Sequence, residues 1–118
     1  MLKILRLMSF TPLLFCSLAW GHAFPKQETP GAGEIISSKA TQISITFNSE
    51  LEPVFSTLLV KNVKNQQVSK GKGMLDPQNH ALLQTQIPAL PPGEYRVIWN
   101  VVAVDGHHTN GSYAFTVK

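Results

Sequence analysis

The chain has 118 residues, with ten lysine and arginine residues against seven acidic ones. Its net charge of +3 includes Lys3 and Arg6 near the N-terminus and falls to +1 for residues 22–118, a balance that excludes a nucleic-acid-binding protein. The only cysteine is Cys16, so residues 22–118 can form no disulfide and offer no thiolate for catalysis or for a soft metal ion.

The N-terminal segment has the pattern of a secretory signal peptide. Lys3 and Arg6 precede an apolar run over residues 7–20, and small residues stand at positions 19 and 21. A membrane anchor is the alternative, but the run is shorter than the roughly 20 residues that a spanning helix needs, and it contains a proline. We therefore expect cleavage after Gly21, which leaves an exported domain over residues 22–118 that is not inserted in a membrane.

Residues 22–118 predict an all-β domain. Two-residue alternation with β-branched and aromatic residues recurs between turn signals, and no helical period persists. We expect strands over residues 41–48, 56–63, 80–87, 94–104 and 111–118, with residues 65–73 as a weak edge strand or a loop. About seven short strands in a domain of this size indicate a Greek-key β-sandwich or a small barrel. Alternation places Trp99 on the inward face, so we assign packing roles to Trp99 and Phe115.

The segment DGHHTNG, residues 105–111, is expected to connect the last two strands. Asp-Gly and Asn-Gly are strong turn dipeptides, so a polar hairpin without a metal is one interpretation. In an extended backbone, Asp105 and His107 would point the same way and His108 the opposite way. His80 stands at a strand start and is interpreted as a surface residue.

Cleavage after Gly21 would make His22 the first residue of the domain. Its α-amine and its ring Nδ1 could then both bind one metal ion. Together with Asp105 and His107, this residue would supply three nitrogen ligands and one carboxylate oxygen. Nitrogen-rich tetragonal sites suit Cu(II), which also heads the affinity order of the divalent metals.

Three stretches resemble the CopC family of periplasmic copper-binding proteins, which are associated with copper resistance. They are HAFPKQETP at residues 22–30, SITFNSELEPVFS at 44–56, and LPPGEYRVIWNVVAVDGHHTNGSYAFTV at 90–117. The resemblance implies an Ig-like or cupredoxin-like Greek-key β-barrel with one Cu(II) ion held by His22, Asp105 and His107. It also implies a copper carrier or buffer of the bacterial periplasm, without catalytic activity, whose partner is a CopD-like copper importer of the inner membrane.

The sequence departs from the family pattern at three places. His108 stands where the family usually has proline, so a second imidazole could compete for the metal. Many members have Phe-Ser-Glu where this chain has Phe-Asn-Ser at residues 47–49, with Glu50 one place later, so a supporting carboxylate is in question. Met74 is the only methionine after residue 22, too few for a Cu(I) site built from thioethers.

Two other functions are compatible with the same residues. A histidine pair that includes the N-terminal residue also forms the copper centre of polysaccharide monooxygenases, so a copper oxidase is one alternative. A metal-free Ig-like module that binds a protein partner is the other, and it predicts that His22, Asp105 and His107 can be replaced without loss of function.

Overall fold

The computed structural model describes residues 23–118, so the predicted signal peptide and His22 lie outside the described residues. In the described part, no helix is long and apolar enough to cross a membrane. Residues 23–118 contain eight strands in two sheets: β1 (Pro25–Thr29), β2 (Ile35–Ile36), β3 (Gln42–Phe47), β4 (Thr57–Asn62), β5 (Met74–Asp76), β6 (Asn79–Gln86), β7 (Gly93–Val102) and β8 (His108–Val117).

The two sheets each have four strands and pack face to face. The first sheet has the order β1-β3-β6-β5 and the second the order β2-β8-β7-β4. Neighbouring strands are antiparallel except for β2 and β8, which are parallel. The chain therefore passes repeatedly from one sheet to the other, and the prediction of an all-β sandwich is confirmed.

The core lies between the sheets and follows the two-residue alternation of the strands. In β7 the inward side chains are Tyr95, Val97, Trp99 and Val101, and each is at most 7% exposed. The ring of Trp99 meets that of Phe47 edge to face across the core, with centroids 5.4 Å apart and planes at 72°. The packing role of Trp99 is therefore confirmed.

Two aromatic residues tie the other end of β7 into the core. Tyr95 stacks on Phe115, which is 1% exposed, with ring centroids 5.7 Å apart. The Tyr95 hydroxyl donates a hydrogen bond of 2.6 Å to the carbonyl of Pro91, which fixes the proline-rich segment that enters the strand. The packing role of Phe115 is confirmed as well.

Several strand boundaries differ from the prediction. The edge strands β1 and β2 were not predicted, because their sequences lack an apolar alternation and they join the sheets mainly through backbone pairing. Residues 65–73 contain only an isolated bridge, between Lys61 and Gln67, so of the two predicted alternatives the loop is confirmed, and β5 is the edge strand.

The largest difference concerns the predicted connection over residues 105–111. Strand β8 already begins at His108, so the Asn110-Gly111 dipeptide is extended and is not a turn. Gly111 lies opposite Trp99, and a Cβ at this position would be 2.4 Å from the Cζ2 atom of the indole. The glycine is therefore required by close packing rather than by chain reversal.

Candidate metal centre

A tight turn joins β7 to β8 and carries two of the three predicted ligands. The amide of Gly106 donates to the carbonyl of Ala103 at 2.8 Å, and the amide of Ala103 donates to the carbonyl of His107 at 2.9 Å. Gly106 has a φ of 91°, a conformation that side-chain-bearing residues rarely adopt. The Asp-Gly dipeptide thus forms the reversal that its sequence indicates.

Asp105 and His107 are in direct contact within this turn. One carboxylate oxygen of Asp105 accepts the backbone amide of His107 at 3.0 Å, and the other lies 3.1 Å from the imidazole Nδ1. The first contact is the Asx-type hydrogen bond that aspartate commonly makes in turns. The second contact holds the carboxylate next to the imidazole.

Both side chains are accessible from solvent. The exposed fraction is 37% for the Asp105 side chain and 52% for that of His107. Their mutual attraction is therefore screened by water, and it orients the ring more than it stabilises the fold. An exposed carboxylate next to an imidazole is the kind of pair that an incoming metal ion can reach.

The base of the turn is fixed by the segment that follows β3. The amide of Val104 donates to the carbonyl of Glu50 at 3.1 Å, and the amide of Glu52 donates to the carbonyl of Val102 at 2.8 Å. Between these bonds, Leu51 bridges Ala103, and both residues are fully buried. Glu50 thus supports the turn through its backbone carbonyl, a role that the identity of its side chain did not reveal.

The first described residue lies next to the start of β8. Ala23 is fully buried, and its carbonyl accepts a hydrogen bond of 2.6 Å from the hydroxyl of Thr109, two residues after His107. Residues 23 and 109 are 86 positions apart in the chain. The fold therefore brings the residue that follows His22 to the strand that follows the turn.

The two remaining histidines are placed differently from His107. His108 pairs with Val102 at the start of β8, and its Nε2 contacts the amide oxygen of Asn100 on the outer face of the sheet. His107 lies in the turn directly before β8, and its side chain contacts Asp105 rather than Asn100. His80 is exposed at the start of β6, which agrees with its interpretation as a surface residue.

Among residues 23–118, no group of three or more histidine, cysteine, aspartate or glutamate side chains converges as a metal site. Asp105 and His107 are brought together, whereas His22 lies outside the described residues. Met74 is 75% exposed on the edge strand β5, which belongs to the other sheet from β7 and β8. Of the three predicted ligands, the described residues thus bring together Asp105 and His107.

A buried phenol lies on β8. The hydroxyl of Tyr113 is buried and has no hydrogen-bond partner among the described residues. Burial raises the pKa of Tyr113 far above its ordinary value, and the negative charges of Glu28 and Glu34 add to the shift. Burial also raises the pKa of Glu28 above 4.5. Tyr113 therefore stays protonated at neutral pH.

Comparison with known proteins identifies relatives along most of the chain. The CopC domain family matches residues 25–118. Protein YobA of Escherichia coli K12 is 31% identical over 92% of this chain and 88% of its own length. The copper transport protein CutJ of Bacillus subtilis is 29% identical over 84% of this chain, but the match spans only 18% of CutJ. The crystal structure of CopC from Methylosinus trichosporium OB3b superposes with a TM-score of 0.73 at 26% identity, and the match covers 82% of this chain and 94% of the other.

Proposed function

The chain belongs to the CopC family, and we propose that it binds one Cu(II) ion and acts as a periplasmic copper carrier or buffer in copper homeostasis and resistance. The ligands in this proposal are His22, Asp105 and His107. Relatives and structural neighbours named as CopC or as a copper transport protein support the copper-related function.

The hydrogen bond between Thr109 and Ala23 is the observation that carries the proposal. It brings the backbone next to His22 to the strand that begins directly after His107. Consecutive Cα atoms lie about 3.8 Å apart across a trans peptide bond. The peptide bond to Ala23 therefore keeps residue 22 close to the backbone that Thr109 binds. A ligand set drawn from both ends of the sequence thereby becomes compatible with one metal ion.

Signal-peptide cleavage after Gly21 would complete the donor set. The free α-amine and the imidazole of His22 would add two nitrogens to the imidazole of His107 and the carboxylate of Asp105. This nitrogen-rich set favours Cu(II), whereas a cuprous ion prefers thiolates and thioethers. Residues 22–118 contain no cysteine and a single methionine, Met74. We therefore propose a Cu(II) protein without a dedicated Cu(I) site.

The proposed role is transport or storage of copper rather than catalysis on a substrate. The competing copper oxidase predicts oxygen consumption by the copper-loaded protein in the presence of ascorbate and a polysaccharide, with formation of cleaved product. A carrier produces no such product. This assay separates the two functions without any assumption about copper affinity.

The proposed partner is a CopD-like copper importer of the inner membrane, which would receive the ion in the periplasm. CutJ supports this part of the proposal, because the stretch similar to this chain is there a minor part of a longer copper transport protein. Copper transfer from the loaded protein to membrane vesicles that contain such an importer would test it. Transfer at the rate of free copper release would contradict a direct handover.

The ligand set is tested by electron paramagnetic resonance and calorimetry on protein that begins at His22. We expect a tetragonal Cu(II) signal with nitrogen hyperfine structure, one ion per chain, and much weaker binding in His22→Ala and His107→Ala. The matched controls His80→Ala and His108→Ala should bind copper as the parent does. Protein that retains Gly21 lacks the free amine on His22 and should also bind weakly. A spectrum unchanged by His22→Ala would refute the proposed site.

A further inference from the structure

The N-terminal residues of the domain are attached to both sheets by side chains that the proposed ligand set does not include. We propose that Thr109 and Asn48 are positioning residues for copper binding. They fix Ala23 and Phe24, and thereby the backbone to which His22 is attached, next to the strand that follows His107. This inference rests on the proposed copper-binding function and adds two residues to the site that touch no metal.

Thr109 provides the attachment to the second sheet. Its hydroxyl donates to the carbonyl of Ala23 at 2.6 Å, and Thr109 pairs with Val101 on the inward-facing row of the sheet. Ala23 is fully buried, so its carbonyl needs a partner within the protein. The hydroxyl of Thr109 meets that need at a point two residues beyond His107.

Asn48 provides the attachment to the first sheet. Its side-chain oxygen accepts the amide of Phe24 at 2.9 Å, while its own backbone amide donates to the carbonyl of Phe24 at 3.0 Å. The two bonds form a closed pair between residues 24 positions apart in the chain. Asn48 stands where many family members have the serine of Phe-Ser-Glu. In this chain the asparagine at that position binds the backbone of Phe24.

A terminal segment ordinarily frays, because few contacts compensate the conformational entropy lost when it is ordered. Here two consecutive residues, Ala23 and Phe24, make three hydrogen bonds, one to Thr109 of β8 and two to Asn48, which directly follows β3. Hydrogen bonds within the protein therefore order the backbone next to His22. Preorganisation of this kind increases affinity, since the ion does not have to order the ligand itself.

The test uses protein exported with its own signal peptide, with mass spectrometry confirming that it begins at His22. Thr109→Val and Asn48→Ala remove the two side-chain bonds, whereas Thr109→Ser and Asn48→Asp keep them. Thr116→Val is the matched control, because it makes the same change on the same strand near its other end. The Cu(II) dissociation constant is measured by competition with a chelator, and folding is verified by circular dichroism.

Each disrupting variant should weaken Cu(II) binding about three- to ten-fold, as expected for one lost hydrogen bond, and the combined variant about ten-fold or more. The conservative variants and Thr116→Val should stay within about two-fold of the parent. In a His22→Ala background, Thr109→Val should weaken Cu(II) binding by a smaller factor than it does in the parent. The reason is that residue 22, which Thr109 positions, has already lost its imidazole.

The outcomes separate this inference from the proposed function. Binding within two-fold of the parent in both single disrupting variants, together with weak binding in His22→Ala, would refute the positioning role and leave the copper site intact. Unchanged binding in His22→Ala would refute the ligand set and the positioning role together. If the combined variant does not fold, the single variants and their conservative partners decide the question.

Discussion

Gly111→Ala is predicted to destabilise the domain because it forces an atom into the space that Trp99 fills. A Cβ at position 111 would lie 2.4 Å from Cζ2 and 2.7 Å from Cε2 of the indole, well inside van der Waals contact. The indole is 7% exposed and meets the ring of Phe47, so it has little room to move. The backbone around position 111 must shift instead, close to the point where Thr109 pairs with Val101.

The magnitude follows from two opposing effects. Overpacking of a filled core costs about 3 kcal/mol at its upper end, and replacing a strand glycine by alanine returns about 1 kcal/mol of backbone entropy. The net loss is about 2 kcal/mol, which corresponds to about 8–16 °C in Tm for a domain of this size. Thermal unfolding followed by circular dichroism measures it.

Gly31→Ala is the matched control for Gly111→Ala. Its added Cβ would meet its nearest neighbours at 3.7 Å and 3.8 Å, which is ordinary contact. Trp99→Phe should partly rescue Gly111→Ala, because the smaller ring vacates space next to position 111, so the two effects should not add. Equal Tm values for Gly111→Ala and Gly31→Ala, or strictly additive losses in the combined variant, would refute this reasoning.

Three further predictions concern buried or partly buried polar groups. Tyr95→Phe should lower the free energy of unfolding by about 1 kcal/mol in urea denaturation, because Pro91 loses its 2.6 Å hydrogen bond. Tyr113→Phe should be neutral or stabilising, since its hydroxyl is buried without a partner among the described residues. Glu28→Gln should raise Tm at pH 7, because burial raises the pKa of Glu28 above 4.5 in the folded state. The folded protein then binds the proton more tightly than the unfolded chain, so stability falls as pH rises through this pKa. The advantage of Glu28→Gln should disappear below pH 4.5, where both states are protonated.

Specific results would contradict these predictions. Equal losses of stability in Tyr95→Phe and Tyr113→Phe would show that the hydrogen bond to Pro91 is not the source of the effect. For Glu28→Gln, a Tm difference that stays constant from pH 4 to pH 7 would mean that charge desolvation is not its cause. Glu94→Gln on the exposed part of β7 is the control for a general charge effect.

Part of the fold could be predicted because a local pattern determines it. Alternation in β3 and β7 identified the buried faces, since side chains on a strand point in turn to opposite sides. The same argument correctly placed Trp99 in the core. The edge strands β1 and β2 could not be predicted in this way, because backbone pairing rather than an apolar pattern holds them.

The role of a glycine or an asparagine depended on contacts that are distant in sequence. Asn110-Gly111 has the composition of a turn, but the indole of Trp99 lies where a Cβ would be, and the dipeptide is extended. Asn48 looked like the loss of a family motif, whereas its side chain and backbone both bind Phe24. Neither role has a local signal, because the partner comes from another strand.

The sequence by itself determined the class of the fold, the chemistry of the candidate ligands and the turn at Asp105 and Gly106, since these depend on residue type and on neighbours along the chain. Only the tertiary structure decided which distant residues meet. It joined Ala23 to Thr109 across 86 positions and placed the segment around Leu51 under the turn. The physical reason is that burial of the core closes the two sheets on each other, and this closure, rather than any local preference, brings the start and the end of the domain together.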